Sequence, residues 1–160
     1  MLTVDIICVG RLKDRFFEDA ADEYLKRLKA YAKVNITEIK AVELPDEPNA
    51  SLIAAALEKE GSEILKKIPS NAKVVTLCIE GNLFSSEDTA KLLSDTALAG
   101  RSEIVFIIGG SYGLSDAVKK RSEVRLSMSK MTFPHRLARI MLLEQIYRGF
   151  KINSGEKYHK

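Results

Sequence analysis

The chain of 160 residues contains only two cysteines and no long hydrophobic run. None of its apolar stretches reaches the roughly 18 residues that span a bilayer, and Asp5 stands where a signal peptide carries lysine or arginine. We therefore predict no membrane segment and a cytoplasmic location. Cys8 and Cys78 stand singly in apolar segments, without the spacing of a disulfide framework or a zinc site. We expect buried free thiols and no bound metal.

Two common nucleotide-binding signatures are also missing. No GxxxxGK[ST] motif occurs, so a P-loop is excluded. The glycine-rich segment from Gly109 to Gly113 has the spacing GGxxG and follows a late strand, whereas a dinucleotide-binding fingerprint needs GxGxxG after the first strand. These absences disfavour a nucleotide-dependent oxidoreductase, which ranks third among our hypotheses.

Composition and charge indicate one globular domain with an uneven charge distribution. Hydrophobic residues make up 46% and charged residues 29% of the chain, so we predict a single domain over residues 1–160. From Lys120 onward, ten Lys and Arg stand against three Glu, while the preceding residues are acidic overall. This asymmetry predicts a basic end that faces a polyanion such as nucleic acid, although a solvated helix face would have the same composition.

Hydrophobic periodicity predicts alternating strands and helices. The predicted strands span residues 3–9, 34–42, 73–79, 103–108 and 124–128. The predicted helices span residues 14–31, 50–68, 85–97 and 134–150, with a short one from residue 115. Such alternation is typical of a three-layer α/β sandwich on a mostly parallel sheet. Because ligands bind beyond the carboxyl ends of parallel strands, we expect the chemistry to follow Ile79, Ile108 and Met128.

The segment after the fourth strand contains the adjacent glycines Gly109 and Gly110. Adjacent glycines let a ligand approach the backbone closely, and their amides can donate hydrogen bonds to it. The same pair also suits a tight turn without any ligand. Both interpretations are open at this point.

The segment before the last helix combines hydroxyls with a soft apolar surface: Met128, Ser129, Lys130, Met131, Thr132 and Phe133. Part of it has a structural explanation, because Thr132 or a neighbour could cap the helix and Pro134 could occupy its first turn. The apolar remainder would suit an adenine ring or a thioether. His135 is more typical of a first-turn residue than of a catalytic base.

The last predicted helix is apolar on nearly all sides. Leu142, Leu143 and Ile146 fall where a solvated face would carry polar residues, so we predict that this helix packs against a second subunit in a homodimer. Glu144 and Arg148 stand four residues apart, the spacing of an ordinary surface ion pair.

The chain ends with an unusual group, Tyr158-His159-Lys160. A ring, an imidazole and an ammonium group together can stack on a base and pair with phosphate. A solvated terminus is the simpler interpretation.

Taken together, these residues resemble the ribosomal RNA large subunit methyltransferase H family, a branch of the SPOUT (α/β-knot) methyltransferases. The resemblance covers the whole chain in order. It rests on VGRLK at residues 9–13, FIIGGSYG at 106–113, SKMTFPH at 129–135, EQIYR at 144–148 and YHK at 158–160.

The resemblance implies methylation of N3 of a pseudouridine in 23S rRNA, in the stem-loop that bridges the ribosomal subunits, with S-adenosylmethionine as methyl donor. It also implies a trefoil knot near the C-terminus and a homodimer packed through the last helix, with 23S rRNA in the assembled ribosome or large subunit as partner. By position, the donor-binding residues of the family fall on Leu77, Gly109 and residues 128–133. No pattern among the residues singles out Leu77.

Methyl transfer to N3 requires removal of the imide proton or stabilisation of the developing anion. Neither predicted ligand loop contains a carboxylate, so the candidates are Arg148 as a cationic stabiliser, His159 as a base and Tyr158 as a stacking or hydrogen-bonding partner. His135 is a second candidate for the base. The alternative function is that of a non-catalytic RNA-binding or ribosome-associated factor, with the same fold and no donor site.

Overall fold

The computed structural model describes residues 1–160 as five strands and five helices that alternate along the chain. The strands are β1 (Leu2–Val9), β2 (Ala32–Ile39), β3 (Lys73–Leu83), β4 (Glu103–Ile108) and β5 (Val124–Ser127). The helices are α1 (Arg15–Leu28), α2 (Ala50–Lys66), α3 (Ser86–Leu98), α4 (Asp116–Arg121) and α5 (His135–Asn153). The predicted order of elements is confirmed, with shifts of a few residues at most ends.

All five strands run parallel, in the order β2-β1-β4-β3-β5. Because parallel neighbours need a crossover, a helix follows each strand. Helices α1, α3 and α5 cover one face of the sheet, and α2 and α4 cover the other. The predicted α/β sandwich is confirmed, and its sheet is fully rather than mostly parallel.

Each face of the sheet has its own apolar core because successive strand residues point to opposite faces. Ile6 and Phe106 pack beneath α1, α3 and α5, whereas Ile7 and Ile107 pack beneath α2 and α4. Strand β4 is buried from Ile104 to Ile108. Burial on both faces accounts for the unbroken apolar sequence of this strand.

Side-chain caps begin α3 and α4 but not α5. Ser85 and Asp88 form a capping box at the start of α3, and the Ser115 hydroxyl accepts from the backbone of α4. In α5, Pro134 itself occupies the N-cap position and no side chain caps the helix. The predicted Thr132 cap was wrong, because the helix begins one residue later than expected and leaves Thr132 too far upstream.

Helix α5 lies between α1 and α3, and its apolar residues are used within the protomer. Leu142, Leu143 and Ile146 are each at most 1% exposed and belong to the core beneath these helices. The prediction that they form an outer face for a second subunit was therefore wrong, because two helices and the sheet already cover them. Leu137 and Met141, four residues apart on α5, are only half-buried.

No helix of the structure combines the length and apolar character needed to cross a bilayer. Both cysteines are buried free thiols, as predicted. Burial raises the pKa of the Cys8 thiol to about 11, so this group stays protonated and behaves as a small apolar residue.

Candidate active site

The predicted donor-binding residues lie at one edge of the sheet. Leu77 of β3 is in register with Leu126 of β5 and stands one residue beyond the last pair between β3 and β4. Gly109–Gly113, the glycine loop, leaves the end of β4, and Met128–Phe133, the methionine loop, leaves the end of β5. Because β3 lies between β4 and β5, the two loops leave the sheet on either side of Leu77, about 10 Å apart. We call this region the carboxyl edge.

Leu77 marks the point at which β3 parts from its neighbours. The register with β5 jumps from Leu77 to Asn82, so Cys78–Gly81 loop out of the ladder. Leu77 is half-buried, whereas Val75 and Thr76 before it are fully buried. A half-buried apolar side chain where parallel strands diverge suits the wall of a ligand crevice. Sequence reasoning missed this residue because no local pattern indicates the break.

The glycine loop folds as a tight turn. The Gly113 amide donates to the Gly110 carbonyl at 3.1 Å, and Gly113 has a φ of +87°. Gly109 is buried, and a Cβ at this position would lie 2.6 Å from the Gly113 carbonyl carbon. Gly109 is therefore required by the close approach of its own turn. The loop backbone lies at the strand end where a ligand would approach it, so the turn is compatible with a binding role.

Serine hydroxyls hold the backbone of the methionine loop. The Ser127 hydroxyl donates to the Ser129 carbonyl, and the Met131 amide donates to the Ser129 hydroxyl, both at 3.0 Å. Met128 is half-buried against the core beneath α3 and α5. The exposed members of the loop are Lys130, Met131 and Thr132, with Met131 at 73% exposure, and Phe133 is half-buried. The loop thus has half-buried apolar side chains, Met128 and Phe133, on its inner side and exposed side chains on its outer side.

The chemistry of the carboxyl edge fits an adenosyl group that carries a sulfur substituent. Leu77 and Met128 supply apolar surface, and the strand ends supply backbone donors and acceptors. An adenine ring needs flat apolar contacts with a few backbone hydrogen bonds, and thioethers pack well against methionine. These requirements match the groups present.

Arg139 joins the first turns of α5 to the ends of β1 and β2. Arg139, with its side chain 4% exposed, donates to Glu38 Oε2 at 2.8 Å and to the Gly10 carbonyl at 3.1 Å. Two motifs quoted above, at residues 9–13 and 129–135, therefore meet through a residue that sequence reasoning did not select. The only sequence signal for Arg139 is a basic side chain within an otherwise apolar stretch of the last helix.

His135 packs at the same junction. Its Nε2 would lie 3.8 Å from a Cβ built on Gly10, and the ring makes no ion pair with a carboxylate. Burial, together with the positive charges of Arg136 and Arg139, lowers the pKa of His135. The ring is therefore neutral at neutral pH and retains an acceptor nitrogen.

The predicted acceptor-side residues contact one another. Arg148 donates to Glu144 Oε1 through Nη2 at 2.6 Å and through Nε at 3.0 Å, and its guanidinium lies 4.7 Å from the centroid of the Tyr158 ring. The Tyr158 hydroxyl donates to the same Glu144 oxygen at 3.2 Å. Burial and the Glu144 charge raise the pKa of Tyr158. The Glu144 and Arg148 side chains are 17% and 24% exposed, so this pair is more enclosed than a surface ion pair.

His159 is held between a cation and an anion. Its Nδ1 lies 3.2 Å from Arg148 Nη1, and its Nε2 lies 2.8 Å from Glu87 Oε1. Because arginine can only donate, Nδ1 must accept, which assigns the ring proton to Nε2 and directs it to Glu87. Both imidazole nitrogens are thus occupied by protein groups. We call Glu87, Glu144, Arg148, Tyr158 and His159 the tail cluster.

The end of the chain folds back onto α5 rather than extending into solvent. Glu156 accepts from the Tyr31 hydroxyl at 2.7 Å and from the Lys151 ammonium at 2.6 Å. The Tyr158 ring packs edge-on against Tyr147, with centroids 5.0 Å apart. The solvated-terminus interpretation is wrong for Tyr158 and His159, because a chain reversal after α5 brings their side chains onto the protein, whereas Lys157 and Lys160 are exposed.

The protomer does not join the tail cluster to the two ligand loops. No hydrogen bond or ion pair links any tail-cluster residue to the glycine loop or the methionine loop. Glu87 of the tail cluster lies in the first turn of α3, three residues after Phe84, whose amide donates to the carbonyl of Ser127 beside Met128. The structure therefore forms two groups of site residues that adjoin at the start of α3 without a polar contact between them. We refer to these groups as two half-sites.

Comparison with known proteins gives matches over essentially the whole chain. Residues 2–159 match the family described as "Predicted SPOUT methyltransferase". Proteins named Ribosomal RNA large subunit methyltransferase H from Clostridium novyi (strain NT) and Bifidobacterium animalis subsp. lactis (strain AD011) are each 48% identical over 159 residues, which cover 99% of this chain and 100% of theirs. The protein of the same name from Clostridium acetobutylicum is 46% identical over the same shares.

The fold also has a counterpart among solved structures. "The structure of a probable methylase family protein from Haemophilus influenzae Rd KW20" aligns with a TM-score of 0.52 at 12% identity, covering 99% of this chain and 70% of that chain. At this identity the likeness concerns the fold alone.

The matches agree in length and in coverage from end to end. SPOUT methyltransferases take their methyl group from S-adenosylmethionine, so the enzyme class and the cofactor follow from membership. The chain belongs to the SPOUT methyltransferase family, in its ribosomal RNA large subunit methyltransferase H branch.

Proposed function

We propose that this protein transfers a methyl group from S-adenosylmethionine to N3 of a pseudouridine in 23S rRNA, in the stem-loop that bridges the ribosomal subunits. The observation that carries the proposal is the 48% identity over full length to ribosomal RNA large subunit methyltransferase H. All 160 residues form the methyltransferase domain, which acts in the cytoplasm on the assembled ribosome or large subunit.

The carboxyl edge holds the methyl donor in this proposal. Bound S-adenosylmethionine supplies a methyl group already activated on sulfur, so the protein has to align the acceptor and exclude water. Leu77 and Met128 contact the apolar parts, and Gly109 keeps the glycine loop compact beside them. The exposed residues Lys130 and Met131 cover the donor from solvent.

The tail cluster acts on the acceptor base. Arg148 stabilises the anion that develops on the imide, and Tyr158 stacks on the base or donates to it. His159 accepts the N3 proton, which requires its Nδ1 to leave Arg148 because that nitrogen is occupied in the free protein. In the alternative, Arg148 alone stabilises the anion and the N3 proton is lost to solvent.

A homodimer would unite the two half-sites. The half-buried residues Leu137 and Met141 lie on α5, and the exposed Phe16 lies at the start of α1, which Arg136 ties to α5 through Asp14 at 3.5 Å. Antiparallel packing of two such helices about a two-fold axis would place the tail cluster of one copy near the loops of the other. The tail then serves its own or its partner's donor site. Sedimentation should give twice the protomer mass of 17.8 kDa, and a monomer at micromolar concentration would contradict the dimer.

The path of the chain after β5 supports a trefoil knot. β5 lies three strands from β1, about 14 Å, yet Arg139 in the second turn of α5 donates to the Gly10 carbonyl at the end of β1. Residues 128–134 must therefore cross the ends of β3 and β4, where two other loops leave the sheet. Threading through one of those loops would close the knot.

The function is tested on rRNA from a strain that lacks the gene. Methylation at N3 blocks base pairing, so primer extension should stop at the target in wild-type rRNA and read through in the deletion strain. The purified protein should restore the stop on ribosomes or large subunits, and a short hairpin should be a poor substrate because much of its recognition surface is missing. Mass spectrometry that finds the same methyl group in the deletion strain would contradict the proposal.

Calorimetry with S-adenosylhomocysteine separates the enzyme from a non-catalytic binding factor. S-adenosylhomocysteine should bind the enzyme with a measurable heat, and the number of molecules bound should equal the number of donor sites. A protein that binds ribosomes without any heat of donor binding would be the non-catalytic factor.

A further inference from the structure

The basic C-terminal quarter does not form one surface. Four of its cations are paired with carboxylates: Arg136 with Asp14, Arg139 with Glu38, Arg148 with Glu144, and Lys151 with Glu156. The cations without a carboxylate within 4.0 Å are Lys120, Arg121, Arg125, Lys130, Lys157 and Lys160. Half of the unpaired group therefore lies on α4 and β5, away from the tail.

Lys120, Arg121 and Arg125 share one face of the sheet. Lys120 and Arg121 belong to the last turn of α4, and Arg125 is in register with Thr76 across the β3–β5 ladder. The Thr76 hydroxyl donates to Ser122 at the end of α4, so the side chains of this register pair point to the α4 side. We call Lys120, Arg121 and Arg125 the α4–β5 surface.

Two carboxylates near the α4–β5 surface are already paired. Glu80 pairs with Lys119, and Glu123 is shared between Lys73 at 3.4 Å and Arg101 at 2.5 Å. Asp116 of α4 and Glu103 of β4 make no ion pair, so the positive charge of this region comes from Lys120, Arg121 and Arg125 themselves.

The helix dipole explains only part of this arrangement. Cations in a last turn are favoured by the negative end of a helix, which accounts for Lys120 and Arg121. It does not account for Arg125, which lies on the edge strand β5.

A polar crevice adjoins the α4–β5 surface at the amino edge of the sheet. Its lining includes Ser70, Asn71 and Ser102 from the two neighbouring turns, the cations Arg101 and Arg121, and the carboxylates Glu103 and Glu123. None of its lining residues is aromatic. The two guanidinium groups balance the two carboxylates, so the crevice adds polar groups but no net charge, and a stacked base or an apolar protein partner would find no surface there.

We propose that the α4–β5 surface binds the phosphate backbone of rRNA outside the methylated stem-loop, an inference that rests on the proposed function. The surface lies on the face of the sheet that α4 covers, whereas the tail cluster lies on the face that α3 and α5 cover. It runs from the last turn of α4 along β5 to Arg125, in register with Thr76 beside Leu77. A contact on the face opposite the acceptor-side residues positions the enzyme on a large particle. It reads no sequence, because phosphates are the same everywhere.

The test removes these charges and measures binding to purified large-subunit particles at several KCl concentrations. The variant carries Lys120→Gln, Arg121→Gln and Arg125→Gln. We expect affinity at low salt to fall at least tenfold and the slope of log K against log[KCl] to become shallower by about 2, since each lost phosphate contact removes about 0.7–0.9 from the slope. Affinity for S-adenosylhomocysteine should be unchanged, and KM for particles should rise with little change in kcat.

The opposite edge of the sheet offers a matched control. Lys26, Lys29 and Lys33 lie at the end of α1 and on the other edge strand, β2, and also lack carboxylate partners. Replacing these three by Gln removes the same charge from an equivalent position and should leave the slope nearly as in the wild type.

The outcomes are distinct. Equal losses in both triple variants would show a general charge effect and overturn the inference. Wild-type affinity and slope in the α4–β5 variant would do the same, and so would lost affinity with an unchanged slope, which indicates a ribosomal protein as partner. If the wild type itself neither methylates nor binds particles, the proposed function fails instead.

Discussion

The carboxyl edge and the tail cluster both carry predicted site residues, but they are built by opposite means. At the carboxyl edge, strand ends and hydroxyl-held loops leave Lys130 and Met131 free in solvent. In the tail cluster, Glu144, Arg148 and His159 are already bonded to one another or to Glu87. The exposed side chains of the carboxyl edge have no polar partners to give up, whereas substrate binding at the tail cluster would exchange protein contacts for substrate contacts.

This difference predicts that donor affinity and the rate of methyl transfer can be changed separately. A change at the carboxyl edge should act on donor affinity, because its loops make no polar contact with the tail cluster. A change in the tail cluster should act on methyl transfer and leave donor affinity intact. Each of the variants below either breaks this separation or sharpens it.

The largest effect is expected for Gly109→Val. Its Cβ would collide with the Gly113 carbonyl, which forces the glycine loop open and displaces the strand end beside Leu77. We expect donor affinity to fall more than about 10³-fold, or about 4 kcal/mol, in a protein that still folds and keeps the oligomeric state of the wild type. Calorimetry with S-adenosylhomocysteine measures the loss, and circular dichroism with sedimentation checks the fold.

Gly100→Ala is the control for Gly109→Val. Gly100 lies in the turn between α3 and β4 at the opposite edge, with a φ of +78° and no atom within 4 Å of a Cβ. This variant should lose about 1 kcal/mol of stability and keep its donor affinity. If Gly109→Val still binds the donor as the wild type does, the glycine loop is only a turn.

Deletion of Tyr158, His159 and Lys160 should have the next largest effect. It removes the ring over Arg148 and the imidazole bonded to it, while the donor loops lie elsewhere. We expect methyl transfer to fall at least about 10²-fold in a single turnover on ribosomes, with unchanged affinity for S-adenosylhomocysteine. Removal of Lys160 alone is the control and should keep most activity. If the longer deletion leaves the rate of methyl transfer at the wild-type value, the tail takes no part in the reaction.

The same division explains what could be predicted from the sequence. The order of elements, the capping box at Ser85 and the two loops beyond β4 and β5 follow from local periodicity and turn chemistry. The Glu87–His159 contact spans 72 residues of sequence, and the Arg139–Glu38 pair spans 101. No local pattern encodes such pairings, because they depend on how the finished helices lie on the sheet.

The role of Leu142 and its neighbours was mispredicted for a related physical reason. Periodicity shows that a helix has apolar residues on several sides, but it does not show what covers each side. In α5 the cover is α1, α3 and the sheet of the same chain, so the residues form core instead of interface.

Arg148→Lys should have a smaller effect that tests the tail cluster from within. Lysine keeps the charge but loses the planar fork that holds Glu144 and His159 together. We expect the rate of transfer to fall about tenfold with unchanged donor affinity, and stability to fall by less than about 1 kcal/mol because the pair is partly solvated. Arg27→Lys is the control, since Arg27 pairs with Glu23 on α1 at the same spacing of four residues but in a more exposed position. A change in the donor affinity of Arg148→Lys would show that the tail cluster and donor binding are not separate.

The smallest expected effect concerns His135, at the junction of the carboxyl edge with α5. Its pKa is lowered by burial and by Arg136 and Arg139, so the unfolded chain takes up this proton more readily than the folded protein does. The free energy of unfolding should therefore fall as pH drops through the ordinary histidine value of 6.5, and this part of the fall should be absent in His135→Gln. Urea unfolding between pH 7.5 and 5.5 measures the difference. His159→Gln, which replaces the chain's other histidine in the tail cluster, still contains His135 and should keep the fall that His135 causes. If His135→Gln and the wild type lose stability in parallel over this range, His135 is not held neutral by its surroundings and cannot serve as the second base at the carboxyl edge.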